Sequence, residues 1–159
     1  MPDILIQVTI AAAPEKVYEA ITQHLNDWWD PDAISGAKVG SIVQPHSDNA
    51  AVRGGGFATK LEVVTLEPAR KIEWLTRQGV PDWSGTRVTW DVSPVENIDP
   101  KGTQLLFGHR GFASAEGGYP RYTYSWAYYL VSLKAYLETG KGQPGGLGPY
   151  FRWQVATVA

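Results

Sequence analysis

The chain has no cysteine, one methionine and three histidines among its 159 residues. Without cysteine there is no thiol nucleophile, no cysteine-held metal and no disulfide scaffold, although the redox compartment stays open on this ground. Charge is also scarce: 19% of the residues are charged, and 14 basic against 16 acidic groups leave a net charge of −2. So weak a field does not gather polyanions, which argues against nucleic acid as a partner. Long apolar runs are missing, the longest being stretches such as Trp126 to Val131, far short of the roughly 18 residues that span a bilayer. Ala11-Ala12-Ala13 looks like a leader cleavage site, but Asp3 stands where a leader is basic, and Gln7 and Thr9 interrupt its apolar part. A cytoplasmic protein is therefore expected.

What the chain has in quantity is aromatic surface: seven Trp, eight Tyr and four Phe, 12% of all residues. At 43% hydrophobic the composition is that of a folded domain. A domain of this length buries roughly 70% of its unfolded surface, so it folds without a metal or a disulfide.

Asp3 to Ile10 alternate, with Ile4, Ile6, Val8 and Ile10 on one face, the period of a half-buried strand. Pro14 fits the first turn of a helix and Glu15 complements its positive end. Val17, Ala20, Ile21 and Leu25 follow at helical spacing, and the helix is expected to end near Asn26, ahead of Trp28-Trp29-Asp30-Pro31. From Ile34 to Arg110 short strands alternate with turn residues. The strands read as Phe57–Leu66, Lys71–Arg77, Thr86–Val92 and Thr103–Arg110, the last after a Pro94 to Gly102 loop. On their inner faces lie Ile72, Trp74 and Thr76; then Val88, Trp90 and Val92; then Thr103, Leu105, Phe107 and His109, with Arg110 pointing outward. Strands at this spacing without helices between them predict an antiparallel meander. Arg121 to Thr139 return to helical period, with Trp126, Leu130, Leu133 and Leu137 on one side beside Tyr122 and Tyr129. Gly140 supplies a left-handed stop. Seven of positions 140–149 are Gly or Pro, so residues 1–140 read as the domain and 141–159 as a hinge with an aromatic tail of Tyr150, Phe151 and Trp153.

The fold class is therefore α+β: a curved antiparallel sheet wrapped around a long C-terminal helix, with two short helices after the first strand. Residues 13–20, Ala-Pro-Glu-Lys-Val-Tyr-Glu-Ala, and the pair Trp28-Trp29 resemble the start of the SRPBCC or START-like superfamily. The branch is the one named after the activator of the heat-shock-protein-90 ATPase. Leu66 to Trp74, Gly102 to Leu105, His109 to Phe112 and Trp126 to Leu137 fit the same pattern. The resemblance implies the helix-grip fold around a cavity for hydrophobic molecules. Its relatives include lipid carriers, polyketide cyclases and a co-chaperone domain, so fold alone does not set the activity. Co-chaperone relatives carry an additional N-terminal domain that is not found in this sequence.

If the concave face bears Trp74, Trp90 and Phe107, and the helix offers Tyr122, Trp126 and Tyr129 to it, a pocket walled by flat rings results. Trp29 completes the candidate set. The same rings can instead simply fill a core. His109, on that face, is either a group that orients a ligand or moves protons, or a hydrogen-bonded structural residue at the strand end. No nucleophile elbow of the Gly-x-Ser-x-Gly type occurs. His24, His46 and His109 lack the spacing of metal ligands, so no metal is expected. Gly54-Gly55-Gly56-Phe57 lacks the Lys-Ser/Thr of a phosphate loop and reads as a strand turn; no motif calls for a cofactor. Asp27, Asp30 and Asp32 read as a solvated loop. The tail is expected to cover the pocket mouth or a sheet edge, to dock on a second copy as a homodimer contact, or to be disordered.

These readings favour binding of a hydrophobic, aromatic or lipid-like small molecule. The alternatives are a polyketide cyclase- or dehydratase-like enzyme that uses His109, and a module acting on a chaperone ATPase.

Overall fold

The alternation of Ile4 to Ile10 becomes β1 (Ile4–Ile10) in the computed structural model, which describes residues 1–45, 59–97 and 101–145. Two short helices follow, α1 (Pro14–Gln23) and α2 (Leu25–Trp28). The break between them falls at His24, earlier than the periodicity predicts, and Trp28 lies inside the second helix. Then come β2 (Ile42–Val43), β3 (Lys60–Glu67), β4 (Lys71–Gln78), a 3-10 turn (Pro81–Trp83), β5 (Arg87–Val95) and β6 (Gly102–Arg110). The long helix α3 spans Tyr119–Thr139. It starts two residues before Arg121, because Pro120 needs no N–H partner in the first turn.

All six strands form one antiparallel sheet in the order β1-β6-β5-β4-β3-β2. The chain closes on itself by pairing its first strand with its last, Ile4 opposite His109 and Ile6 opposite Phe107. Register shifts at Lys60/Leu61 and Val63/Thr65 mark irregularities in β3, the kind that bends a sheet. The inner faces are those the alternation assigns: Ile72, Trp74 and Thr76, then Val88, Trp90 and Val92, then Thr103, Leu105, Phe107 and His109 are all buried. Both β5 and β6 run further into the connecting segment than the strand signals suggest, so that Pro94 pairs with Thr103 and Val95 with Gly102.

Helix α3 runs alongside β1 in the same direction and is fastened at both ends. The Tyr119 hydroxyl donates to the Asp3 carbonyl at 2.7 Å; at the other end Lys134 Nζ donates to the Thr9 carbonyl at 2.5 Å and the Ala11 N–H to Glu138 Oε2 at 3.0 Å. Asp3 to Ala11 spans about 26 Å of strand, and Tyr119 to Lys134–Glu138 about 22–28 Å of helix, so the two elements match in length. Gly140 ends the helix at φ 83° with its N–H on the Tyr136 carbonyl at 2.9 Å, the left-handed stop that glycine takes without strain. The Gly54-Gly55-Gly56-Phe57 run, His46 and the tail aromatics Tyr150, Phe151 and Trp153 lie outside the described residues.

Candidate ligand-binding site

Two layers face one another across the interior. From below, β4 supplies Trp74, β5 Trp90 and β6 Phe107 and His109; from above, the first half of α3 supplies Tyr122, Trp126 and Tyr129. Trp29, following α2, closes the side. All eight predicted residues meet in one connected ring cluster, seven of them buried and Tyr129 half-buried at its rim.

Trp126 is the hub. Its ring centroid lies 4.4 Å from Phe107, 5.0 Å from Trp29, 6.1 Å from Trp90 and 5.9 Å from His109. Trp29 stacks at 4° on Trp74 with centroids 6.0 Å apart, and it contacts Tyr129 at 6.2 Å. Trp74 and Trp90 meet edge to face at 5.3 Å. The stacked and edge-to-face pairs among them have the geometries that aromatic quadrupoles favour.

Tyr122 joins the cluster through Trp83, which the spacing places in a turn, and through Phe112, which lies 6.0 Å from Tyr122 and 4.5 Å from His109. Trp83, at the end of the 3-10 turn, packs on Tyr122 at 5.6 Å, on His109 at 4.6 Å and on Trp126 at 6.2 Å. The available signal was a large aromatic held between Pro81 and Gly85, poor chemistry for a solvated turn. Asp82 beside it accepts the Gly118 N–H at 3.1 Å and the Tyr122 O–H at 3.2 Å, capping the start of α3 from the β4–β5 connection. Burial first, then the Asp82 carboxylate, raise the Tyr122 phenol above its ordinary 10.0.

His109 is fully buried, and both its nitrogens are engaged. Trp126 Nε1–H, which can only donate, points at Nδ1 over 3.1 Å, so the imidazole proton resides on Nε2. That N–H donates to Thr86 Oγ1 at 2.8 Å. The Thr86 hydroxyl in turn donates to the Trp83 carbonyl at 2.6 Å and accepts from Thr76 at 3.0 Å. Every donor direction in this chain is thereby set. Burial pushes the imidazole down from its ordinary 6.5 to about 3, and protonating Nδ1 would set two N–H groups head to head. Neither nitrogen is free to move a proton without breaking one of these bonds. Thr76 and Thr86 share the inner faces of their strands with the tryptophans, so alternation carried a signal for both.

Three donors in the same interior have no protein acceptor among the described residues: the buried indole N–H groups of Trp74, Trp83 and Trp90. An orphaned buried donor costs about 1–3 kcal/mol. The other indoles of the cluster are better served, Trp28 Nε1–H by the Ala20 carbonyl at 3.0 Å and Trp126 by His109.

The chain beyond α3 returns toward Trp28-Trp29. Ser132 Oγ donates to the Trp28 carbonyl and accepts the Gln143 N–H, both at 2.7 Å, and the Gly145 N–H donates to the Trp29 carbonyl at 2.8 Å. Asp30 departs from the solvated-loop reading. It is 2% exposed and its Oδ1 accepts the Asp32 N–H at 2.9 Å, the local side-chain-to-backbone bond by which Asp shapes a turn. Arg110 is half-exposed and pairs with Asp3 at 3.3 Å. A separate surface hollow of ≈ 360 Å³, between Pro14, Ala69 and Lys101, shares no residue with the ring cluster. Among the described residues no three His, Asp or Glu side chains converge on a common point, and no helix is long and apolar enough to cross a membrane.

A curved antiparallel sheet gripping a C-terminal helix, with aromatic side chains converging between them, is the helix-grip class of the SRPBCC-like proteins. The chain belongs to the family described as activator of Hsp90 ATPase homolog 1-like protein, whose model matches residues 11–138. Among solved structures it is similar to the Aha1 dimer from Colwellia psychrerythraea, 30% identical over 89% of this chain and 100% of that one, with a TM-score of 0.75. A protein of Staphylococcus saprophyticus shares the fold at 18% identity, 90% and 97% coverage and a TM-score of 0.68. CalU16 of Micromonospora echinospora does so at 16% identity, with 94% of this chain and 78% of that one covered and a TM-score of 0.65. DynU16, from the dynemicin biosynthetic locus, is 20% identical over 88% of this chain and 48% of its own, with a TM-score of 0.67. No curated protein sequence matches the chain.

Proposed function

We propose that this protein binds a hydrophobic small molecule, aromatic or lipid-like, between α3 and the sheet. The observation that carries the reading is the continuous wall of Trp29, Trp74, Trp90, Phe107 and Trp126, drawn from two facing layers, with half-exposed Tyr129 at its edge. Rings of this kind offer large rigid area at little entropic cost, and burial of the ligand's own apolar area drives association at about 25 cal/mol per Å² before the costs of binding. His109 with both nitrogens engaged is a wall residue in this reading and favours a carrier over a catalyst. A cyclase-like activity would be revealed by turnover of a polyketide-type substrate that is lost in His109→Gln.

Titration of the purified protein with polycyclic aromatics and fatty acids, read by intrinsic tryptophan fluorescence and by native mass spectrometry, tests the proposal. Quenching with a one-to-one mass adduct is expected, and Trp126→Ala should abolish both; Tyr129→Ala, at the rim, should weaken them without disturbing the core. A folded protein that gives neither signal with any of these ligands would refute the reading.

The family match favours one second reading, an interaction with a chaperone ATPase. Stimulation of the cognate chaperone's ATPase rate that survives Trp126→Ala would select it over small-molecule binding. Homodimerisation is proposed on the strength of the dimeric Colwellia relative and is checked by sedimentation equilibrium. A cytoplasmic location belongs to the same reading and is checked by cell fractionation.

A further inference from the structure

We infer that the ligand is a flat, uncharged ring system bearing carbonyl or ether oxygens, and that the indole N–H groups of Trp74, Trp90 and Trp83 select it by donating to those oxygens. The inference rests on the small-molecule reading above and specifies its ligand chemistry.

The three orphaned donors come from one continuous piece of chain. Trp74 is on β4 and Trp90 on β5, where Trp74 pairs with Val88 and Ile72 with Trp90, so the two rings are diagonal neighbours on one face. Trp83 stands in the turn that joins these strands, and Trp126 touches both Trp83 and Trp90. Indole is a donor only, so a carbonyl or ether oxygen complements it and a further N–H does not. Failure to pair is selective within this interior. Trp28, Trp126, Thr76, Thr86, Thr103, His109 and Ser132 all find protein partners, whereas these three N–H groups, on residues at most 8% exposed, find none among the described residues.

The charge of the ligand follows from what surrounds them. No Lys or Arg is buried among the described residues, and His109 holds its one proton on Nε2 toward Thr86. A carboxylate drawn into this interior would meet no counter-charge, and an unpaired buried ion is strongly disfavoured. A neutral carbonyl or ether oxygen needs only the N–H groups already present. Flat rings match the aromatic faces that line this interior better than an alkyl chain does, because ring-on-ring contact is favoured beyond the area it buries.

Fluorene and 9-fluorenone share a three-ring frame and differ by one carbonyl oxygen, which makes them suitable probes. Fluorescence titration of the full chain should show fluorenone binding about tenfold tighter than fluorene. In protein labelled with ¹⁵N-tryptophan, the indole N–H resonances of Trp74, Trp83 or Trp90 should move downfield with fluorenone and not with fluorene. Trp74→Phe and Trp90→Phe keep an aromatic ring and remove the donor, so the ratio of the two dissociation constants should fall toward one. Equal affinities in the wild type, or an unchanged ratio in both variants, overturns the inference while leaving small-molecule binding intact. Indole resonances that respond identically to both probes overturn it even where a variant fails to fold. If neither probe nor any fatty acid binds the folded wild type, the small-molecule reading itself falls.

Discussion

Mild acid should destabilise this protein through His109, at pH values where carboxylates remain ionised. In the native state burial holds the imidazole neutral, with its pKa lowered from the ordinary 6.5 to about 3; in the unfolded chain it returns to 6.5. Between those values the unfolded state binds a proton that the native state does not, so stability rises with pH in that window. The contribution is complete above about pH 6.5 and is lost progressively as the pH falls toward 3. At pH 5 the loss is about 2 kcal/mol, from roughly 1.5 pH units at about 1.36 kcal/mol each. Against a net stability of roughly 5–15 kcal/mol this is readily measured. Urea unfolding at pH 8, 7, 6 and 5, followed by circular dichroism, should be run on the wild type and on His109→Gln. Glutamine can accept from Trp126 and donate to Thr86 but does not titrate, so the difference between the two curves isolates His109 from His24, His46 and the carboxylates. The wild type should lose about 2 kcal/mol more than the variant between pH 8 and pH 5. Parallel curves, or a His109 imidazole resonance that titrates near 6.5 in the folded protein, would refute the assignment of a buried neutral ring.

Thr86→Val removes the hydroxyl that joins His109, Thr76 and the Trp83 carbonyl; it should cost about 2 kcal/mol or more in urea unfolding, because the His109 N–H is left buried without an acceptor. Gly142→Ala would bring a Cβ to 2.7 Å from the Asp27 carbonyl and 3.1 Å from Ser132 Oγ. It should destabilise by about 1–3 kcal/mol through overpacking, and thermal unfolding of that variant tests how firmly the chain after α3 is seated against Trp28-Trp29. Lys134, and secondarily the Ala11 N–H, hold the Glu138 carboxyl below its ordinary 4.5. This contribution is therefore present above that value and lost as the pH falls through the lower native one. Glu138→Gln should be less stable than the wild type at pH 7 and should show a shallower decline below pH 4.5, and unchanged acid sensitivity would remove Glu138 from the list of fasteners.

Much of the architecture was legible because it follows from local periodicity. Ile4 to Ile10, Lys71 onward and Thr103 onward alternate with period two, and the helical spacing from Tyr122 to Leu137 is unbroken; each reads one way whatever its neighbours do. Candidate site residues were legible for the same reason, since the face of Trp74, Trp90, Phe107 and His109 follows from counting along a strand. Trp83 was not, because its place depends on a 3-10 turn folding inward over the start of α3. Nor was the burial of Asp30, which a local hydrogen bond to Asp32 makes tolerable.

The sequence by itself determined that Trp74, Trp90 and Phe107 share the inner faces of alternating strands and that Tyr122, Trp126 and Tyr129 lie on one side of a long helix, and hence that an antiparallel sheet must cover a ring-rich helical face. Only the tertiary structure decided what those rings do. Periodicity says which side of an element a residue faces and is silent on which polar atoms will meet across the gap. Hydrogen-bond partners 17 and 23 residues apart fix His109 as a neutral, doubly engaged ring. The same packing leaves the Trp74, Trp83 and Trp90 donors without protein acceptors among the described residues, because a hydrogen bond requires two groups within about 3 Å at the right angle, a condition that only the assembled chain can meet or miss.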